Sequence, residues 1–453
     1  MKKFRLIYIT TFCSAILLTA CNKQLDLKPY QQIDQSQAIL TSRDVQITLV
    51  GAYNRAGLSD LFGGGAFVEP DLLATQTYVD WQGTYQDLTQ MVSQTVPTNN
   101  LFVRDMWRAG YQVINQTNNV LANLDKVDAD EKDRTEGEAK FLRGLTYYQL
   151  VIMYGKSYND GNPKTNPGVP IVLTPTTVVD ASSQVARSSV DEVYNQAIAD
   201  LIDAKAKLPT GNGFFANSYA ASAILARVYL QKGDNAKAAA EATTVIDAGE
   251  YSLVENYADE FPYTAQAHFD NTSEDIFAIQ VTAQQGANAL NTYYASADNA
   301  GRGDIVIKES FVEGFEDGDT RTAVYNYDSD DYLRVNKFDN LYGNVHVIRL
   351  AELYLIRAEA NLRNSSIIGD TPANDVNVIR ERAGLDDIAS PTLENILTER
   401  NHELGFEGGF FLHDYKRYKL KIGGVAWNSP KIVFPIPELE INANPNLVQN
   451  QGY

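Results

Sequence analysis

The chain has few of the residues on which metal and redox sites depend. Its 453 residues include two cysteines and four histidines, and both cysteines, Cys13 and Cys21, lie near the N-terminus. The rest of the chain therefore has no cysteine for a disulfide bond, a thiolate ligand or a nucleophile. We predict neither a metal ion nor a cofactor.

Sequence signatures of several enzyme classes are also missing. The chain has no HExxH zinc motif, no Gly-x-Ser-x-Gly nucleophile motif and no Walker-type phosphate loop. His402-Glu403 lacks the second histidine of a zinc helix, and we interpret it as a pair on a helix surface. The three glycines at 63–65 lack the following Lys-Ser/Thr, which favours a flexible loop. We predict a protein without catalytic activity; a surface hydrolase stays open as an alternative, because carboxylates are numerous.

An excess of acidic residues limits the possible partners. The formal net charge is −19, and residues 1–20 carry basic residues but no acidic ones, so the remainder is more negative still. Such a surface repels phosphate backbones, and we predict no binding to nucleic acid. Neutral and cationic ligands remain open.

The N-terminus has the pattern of an exported protein. A basic start precedes an apolar run at 6–18 that is too short to span a bilayer permanently. The run ends in Leu-Thr-Ala-Cys, which resembles the lipobox of bacterial lipoproteins. We predict a signal peptide over 1–20, a lipid on Cys21 and a lipidated tether over 21–41. An ordinary secretory signal with a chance cysteine is the alternative, and no later apolar run is long enough for a transmembrane helix.

Residues 217–253 carry the strongest structural pattern. An apolar stripe on one predicted helix consists of Ala220, Ala223, Ile224 and Val228. The stripe on a second predicted helix consists of Ala236, Ala239, Ala240, Thr243 and Ile246. Between them, Gly233 suits a helix C-cap and Asp234 can cap the next helix. The pattern predicts an antiparallel hairpin of tetratricopeptide (TPR) type, although a generic all-α domain is the alternative.

Further patterns extend this helical scaffold on both sides. Helices are predicted at 42–56, 102–124, 136–154, 190–208, 347–364 and 375–383, and from Ser390-Pro391 onwards. Short strands are predicted at 169–173 and 275–281, and an unstructured tail at 434–453. We predict a mostly α fold with a TPR-like scaffold and an irregular, loop-rich subdomain containing short strands. Its segments are 42–180, with helices and loops; 181–254, with the TPR-like helices; 255–345, aromatic-rich and ligand-binding; and 346–453, with helices and the tail.

Several sequence blocks together resemble the SusD/RagB family of nutrient-binding outer-membrane lipoproteins. They are FLRGLTYYQL at 141–150, GVPIVL at 168–173, AILARVYL at 223–230, NVIRERAGL at 377–385, ILTERNHEL at 396–404 and FPIP at 434–437. Residues 400–402 and 409–411 depart from the family pattern, while their flanking positions match it.

The resemblance implies a TPR-scaffolded, lipid-anchored protein exposed on the cell outer membrane. It implies a SusC-like TonB-dependent transporter as partner and an oligosaccharide, or in some members a peptide, as ligand. We therefore predict a non-catalytic glycan-binding lipoprotein, with a peptide-binding family member and a pure TPR interaction protein as alternatives. The matching blocks are scaffold motifs, so they transfer no ligand residues.

Aromatic residues in polar stretches supply the candidate site. The chain has 26 Tyr, 18 Phe and 3 Trp residues, and a flat ring can pack against a sugar while neighbouring polar groups bind its hydroxyls. The predicted ligand-binding residues are Asp71, Tyr78, Trp81 and Tyr85, with Tyr293 and Tyr294 opposite them. The alternative is that Trp81 is buried against the first helix.

Overall fold

The computed structural model describes residues 39–263, 266–284 and 288–453. The predicted signal peptide, the lipidation site Cys21 and most of the predicted tether lie outside the described residues. Within the described ranges, no helix combines the length and the hydropathy needed to cross a membrane.

Helices make up most of the regular structure. The described residues form 15 α-helices in chain order. They are α1 (Ser42–Ala56), α2 (Gly65–Ala74), α3 (Gln86–Val92), α4 (Leu101–Leu121), α5 (Lys132–Tyr154), α6 (Val190–Lys207), α7 (Ser218–Lys232), α8 (Asn235–Ile246), α9 (Ala289–Tyr294), α10 (Glu309–Val312), α11 (Leu350–Asn364), α12 (Pro372–Arg382), α13 (Leu393–Leu404), α14 (Phe410–Tyr418) and α15 (Glu438–Ala443). The tail predicted to be unstructured thus contains the short helix α15.

The larger helices pack in one continuous series. Helix α1 packs on α4, α4 on α5, α5 on α6, α6 on α7, α7 on α8, α8 on α11 and α11 on α12. Each helix buries its apolar face between its neighbours, as in stacked helical repeats. The mostly α, TPR-like fold is confirmed, and the division of the chain into segments stays a prediction.

Six short strands form three separate antiparallel pairs in the described residues. Strand β1 (Val79–Trp81) pairs with β3 (Ile305–Ile307), β2 (Asp275–Ile279) with β6 (Val345–Arg349), and β4 (Tyr325–Tyr327) with β5 (Leu333–Val335). Five of these strands lie within the segment predicted to be irregular or at its end, and the strand predicted at 275–281 is confirmed. The helix predicted to begin at 347 begins at Leu350, because the preceding residues belong to β6.

The α7–α8 hairpin forms as predicted, but the buried face of α8 differs from the predicted one. The Asn217 side chain accepts from the Ala220 N–H at 2.8 Å, and Gly233 ends α7 in the left-handed region at φ 82°. Asp234 does not cap α8; its carboxylate lies 2.8 Å from the Lys237 ammonium. The stripe predicted for α8 is confirmed only at Ala239, since the buried residues are Ala238, Ala239, Ala242 and Val245. Helix α8 packs against α11 as well as α7, which rotates its buried face.

The edge strand predicted at 169–173 is wrong, because side chains take the place of a neighbouring strand. The Tyr147 hydroxyl donates to the Val172 carbonyl at 2.8 Å and accepts from the Val172 N–H at 2.7 Å. Asn118 donates to the same carbonyl at 2.9 Å. Helix α13 likewise begins later than predicted, after the cap residue Thr392.

The three glycines at 63–65 form a buried turn, so the flexible loop predicted there is wrong. A Cβ atom on Gly63 would lie 2.3 Å from the Gly57 carbonyl oxygen, and Gly64 has φ +132°. Both positions therefore require glycine. The turn leads directly into α2, whose ten residues are all buried.

His402 and Glu403 are buried, so the surface pair predicted there is wrong. The His402 ring stacks on Phe315 with centroids 4.0 Å apart, and burial lowers its pKa to about 4. The Glu403 carboxylate lies 2.7 Å from Arg349 and also pairs with Arg382. Although burial raises the pKa of Glu403, these guanidinium groups hold it well below its ordinary value.

Candidate ligand-binding site

Three of the predicted aromatic residues meet at the surface. The ring centroid of Tyr293 lies 6.3 Å from that of Trp81 and 6.4 Å from that of Tyr85. Tyr85 is 43% exposed, and Trp81 and Tyr293 are half-buried. We call Trp81, Tyr85 and Tyr293 the aromatic patch.

The patch is held by the β1–β3 pair and the helices beside it. Strand β1 places Trp81 opposite Ile305, and the indole N–H donates to the Thr89 hydroxyl of α3 at 2.9 Å. A Cβ atom on Gly83 would lie 2.2 Å from the Trp81 ring, so the loop passes close against that ring. The alternative that Trp81 is buried against the first helix is wrong, since the residue is half-exposed and its partners lie on α3 and α9.

A smaller set of side chains extends the patch. The Tyr85 ring contacts Phe102 at a centroid distance of 5.9 Å, and the Arg302 guanidinium lies 4.8 Å from the Tyr85 ring centroid. Arg302 also binds the Asp304 carboxylate at 2.8 Å. That hydrogen bond raises the pKa of Arg302, which therefore stays charged.

A polar cavity of about 270 Å³ adjoins the patch at Arg302. Its lining includes Gln82, Asp298, Asp328, Asp330 and Tyr332. Burial alone would raise the pKa of Asp328. Hydrogen bonds from the Tyr332 backbone N–H and the Arg334 guanidinium outweigh this effect, so the pKa of Asp328 lies below its ordinary value. The lining of the cavity therefore includes the Asp328 carboxylate, which Arg334 binds, and the Arg302 guanidinium.

Asp71 and Tyr294 do not reach the surface. Both are buried, and the Tyr294 hydroxyl donates to the Asp71 carboxylate at 3.1 Å. Burial raises the pKa of Asp71 to about 8. The pair joins α9 to α2 beneath the patch, so it supports the site from below.

Tyr78 is half-buried and packs on other aromatic residues, outside the patch. Its ring packs 5.2 Å from Phe311 and 5.4 Å from Phe411, measured between centroids. Its hydroxyl lies 3.3 Å from that of Tyr415. The six predicted residues thus divide into three that meet in the patch, two that are buried (Asp71 and Tyr294), and Tyr78, which packs elsewhere.

Sequence reasoning missed Phe102, Arg302 and the polar cavity. Arg302 is brought to the patch by the pairing of two short strands that the sequence did not predict. Because Trp81 lies opposite Ile305 in an antiparallel ladder, Arg302 follows in register opposite Thr84. The Arg302 guanidinium nitrogen lies 3.5 Å from the Thr84 hydroxyl oxygen.

Side chains of metal-binding types meet at a second place, on β2 and β6. Glu260, Asp275 and His346 each bring one oxygen or nitrogen atom within 4.8 Å of the others. His346 Nδ1 lies 2.5 Å from the Asp275 carboxylate. Burial alone would lower the pKa of His346. Asp275 and, to a smaller extent, Glu260 outweigh this effect and raise the pKa to about 9. Burial raises the pKa of Glu260 well above its ordinary value, so the arrangement is a protonated histidine paired chiefly with the Asp275 carboxylate.

Comparisons with known proteins place this architecture in one family. A SusD-like family profile described as "Starch-binding associating with outer membrane" matches residues 23–230, and a SusD family profile matches residues 329–432. The two matches together cover about two thirds of the chain.

Individual relatives agree with the profiles. SusD-like protein P2 of Formosa agariphila is 25% identical over 529 aligned positions, which cover 100% of this chain and 98% of that protein. The starch-binding protein SusD of Bacteroides thetaiotaomicron is 29% identical over 203 positions, which cover 40% of this chain and 36% of that protein. A crystal structure of a SusD superfamily protein from Bacteroides thetaiotaomicron has a TM-score of 0.80 and 27% identity, and it covers 91% of this chain and 100% of that chain. The chain therefore belongs to the SusD/RagB family.

Proposed function

We propose that this protein is a cell-surface lipoprotein that captures an oligosaccharide and delivers it to a SusC-type TonB-dependent transporter. The observation that carries the proposal is the aromatic patch beside a polar cavity. Family membership supports carbohydrate as the ligand, since the matching profile is described as starch-binding.

The two parts of the site suit the two parts of a sugar ring. The faces of Trp81, Tyr85 and Tyr293 offer apolar area to the C–H face of a pyranose. Arg302 can donate to hydroxyl oxygens, and Asp298 and Gln82 can accept from hydroxyl hydrogens. A neutral ligand also fits the net charge of −19 better than an anionic one.

The acidic groups at the site favour binding without catalysis. A glycosidase needs one carboxylic acid with a raised pKa near a second carboxylate. Asp328 has a lowered pKa and is held by Arg334, whereas Asp71, with its raised pKa, is buried beneath the patch.

The anchor and the transporter are proposals at the level of the family. The profile description associates the family with the outer membrane, and the lipobox at Cys21 provides the attachment. Co-purification of a TonB-dependent transporter with the full-length protein, compared with a Cys21→Ser variant, tests both.

Calorimetry with the full-length protein tests the ligand. In a sugar-free detergent, at least one of maltoheptaose, cellohexaose, xylohexaose and laminarihexaose should bind. The Trp81→Ala/Tyr293→Ala variant should bind at least tenfold more weakly, while Trp427→Ala, a half-buried tryptophan outside the patch, should not change the affinity. A binding isotherm that loss of the patch leaves unchanged, binding of neutral hexapeptides alone, or shortened products after long incubation would each contradict the proposal.

A further inference from the structure

A larger cavity lies further along α4, the helix that also carries Phe102 beneath the patch. It has a volume of about 670 Å³ and lies between α4, the segment 170–185 and the C-terminal segment that contains α15. We call it the α4 groove. Its volume falls within the range of about 300–1,000 Å³ that is usual for small-molecule sites.

Aromatic rings form one wall of the α4 groove. The Trp107 and Tyr111 ring centroids lie 5.0 Å apart, and the Tyr111 hydroxyl donates to the Pro170 carbonyl at 2.8 Å. Val185 and Leu447 add apolar area from the other segments. The hydrogen bond holds the half-buried Tyr111 ring in place, and the Trp107 ring packed beside it is 3% exposed.

The polar groups of the groove include a basic and an acidic side chain, Arg108 and Glu440. Glu440 of α15 accepts a hydrogen bond from the Trp107 side chain, and burial raises the pKa of its carboxyl group. Arg108 is exposed and has neither a hydrogen bond nor an ion pair among the described residues. One wall thus offers a cation that only donates, and the other an acidic group.

One polar atom in the groove is unusual. The Gln116 Oε1 atom is buried and has no hydrogen-bond partner within the part of the chain that the structure describes. Most buried polar atoms in proteins are paired, because an unpaired one costs about 1–3 kcal/mol. A rotation of the Gln116 side chain toward the groove would let a ligand donor satisfy this atom.

We propose that the α4 groove is a second binding site, which takes a neutral oligosaccharide through Arg108, Gln116 and Glu440. A hydroxyl group both donates and accepts, so a sugar can satisfy a guanidinium, an amide oxygen and a carboxyl group together. An anionic ligand would meet Glu440, and a cationic one would meet Arg108. The inference rests on the proposed function only for the class of ligand, because its residues are separate from the patch.

The three tryptophans of the chain allow each site to be observed alone. In the full-length protein, the Trp81→Phe/Trp427→Phe variant keeps only Trp107, in the α4 groove. The Trp107→Phe/Trp427→Phe variant keeps only Trp81, in the patch. Each is titrated with maltoheptaose, cellohexaose, xylohexaose and laminarihexaose, and with neutral hexapeptides for comparison, while its fluorescence is recorded.

We expect Trp107 emission to change saturably with at least one of the four oligosaccharides. In the same background, Arg108→Ala/Glu440→Gln should weaken that response at least tenfold. Arg43→Ala, an exposed arginine on α1, should leave it unchanged. Circular dichroism of each variant checks that the fold is retained.

The inference is overturned if no oligosaccharide changes Trp107 emission, if the response survives Arg108→Ala/Glu440→Gln, or if only the peptides produce it. The Trp81 variant separates this failure from that of the proposed function. A response at Trp81 without one at Trp107 removes the α4 groove alone, and the reverse result removes the patch alone.

Discussion

The scaffold around Arg349 and the aromatic patch use arginine in opposite ways. Arg349 is 2% exposed and binds the carboxylates of Glu274, Glu403 and Glu407 at 2.7–2.9 Å. Arg302, at the patch, is exposed, binds one carboxylate and lies over a tyrosine ring. The first arrangement leaves little hydrogen-bonding capacity for a ligand, whereas the second leaves most of it.

Under the proposed function, this difference means that stability and recognition reside in separate side chains. A buried charge without its partner destabilises the whole fold. A half-exposed ring on a loop can be replaced with little effect on folding. Substitutions should therefore affect either the unfolding free energy or the affinity, and rarely both.

The largest effect is expected for removal of the carboxylate at Glu403. Glu403→Ala leaves Arg349 and Arg382 buried with fewer partners, and it should lower the unfolding free energy by about 3–5 kcal/mol. Urea unfolding measures this loss. Glu313→Ala, at an exposed position, should cost less than about 0.5 kcal/mol. Equal losses for the two variants would mean that the Arg349 network does not hold the scaffold.

Asp71→Asn tests the support beneath the patch through pH. The pKa of Asp71 is raised from 3.8 to about 8, so its contribution to stability is full below pH 4 and is lost as the pH rises to about 8. The asparagine variant cannot ionise and can still accept from Tyr294. At pH 8.5 it should be more stable than the parent by roughly 1–3 kcal/mol, with little difference at pH 4. Denaturant unfolding across this range checks the slope; parallel curves would contradict the assignment.

Gly83→Ala should weaken binding without weakening the fold. The added methyl group would lie 2.2 Å from the Trp81 ring and must displace it. We expect oligosaccharide binding five- to tenfold weaker, or about 1 kcal/mol. Calorimetry and thermal unfolding on the same sample compare the two effects. Lower stability with unchanged affinity would show that Trp81 serves packing rather than recognition.

The smallest effect is expected at the α7–α8 turn. Gly233 has φ 82°, and a Cβ atom there would meet no described atom within 4 Å. Gly233→Ala should therefore cost only the backbone strain, about 1 kcal/mol. Gly233→Asn should cost less, because asparagine tolerates this conformation better. Thermal unfolding ranks the three proteins, and a reversed order would exclude strain as the cause.

The features predicted correctly from the sequence are mostly local ones. The α7–α8 hairpin follows from apolar periodicity and from Gly233, all within about 35 residues of one another. Trp81 and Tyr85 were predicted because rings in a polar stretch are unusual, and their role in binding stays a prediction. Their meeting with Tyr293 was only a hypothesis, since no short-range pattern connects the two segments.

The errors concern contacts between distant parts of the chain. Asp71 lies on α2, whose ten residues are all buried, so periodicity cannot distinguish a solvent face from a core face. Glu403 looks like an ordinary exposed helix residue until Arg349, 54 positions away, is brought to it. Arg302 reaches the patch only through the β1–β3 pairing. Partners of this kind depend on tertiary structure that a single sequence does not encode in its local pattern.

The Arg349 network, formed by Arg349 with Glu274, Glu403 and Glu407, also has a consequence for biosynthesis. Its three glutamates lie 54 to 75 positions away from the arginine and on both sides of it along the chain. Contacts of such long range form late in folding. A nascent polypeptide that ends before Glu403 would leave this guanidinium with only Glu274 of its three carboxylate partners, and such a fragment should remain a substrate for proteases rather than accumulate.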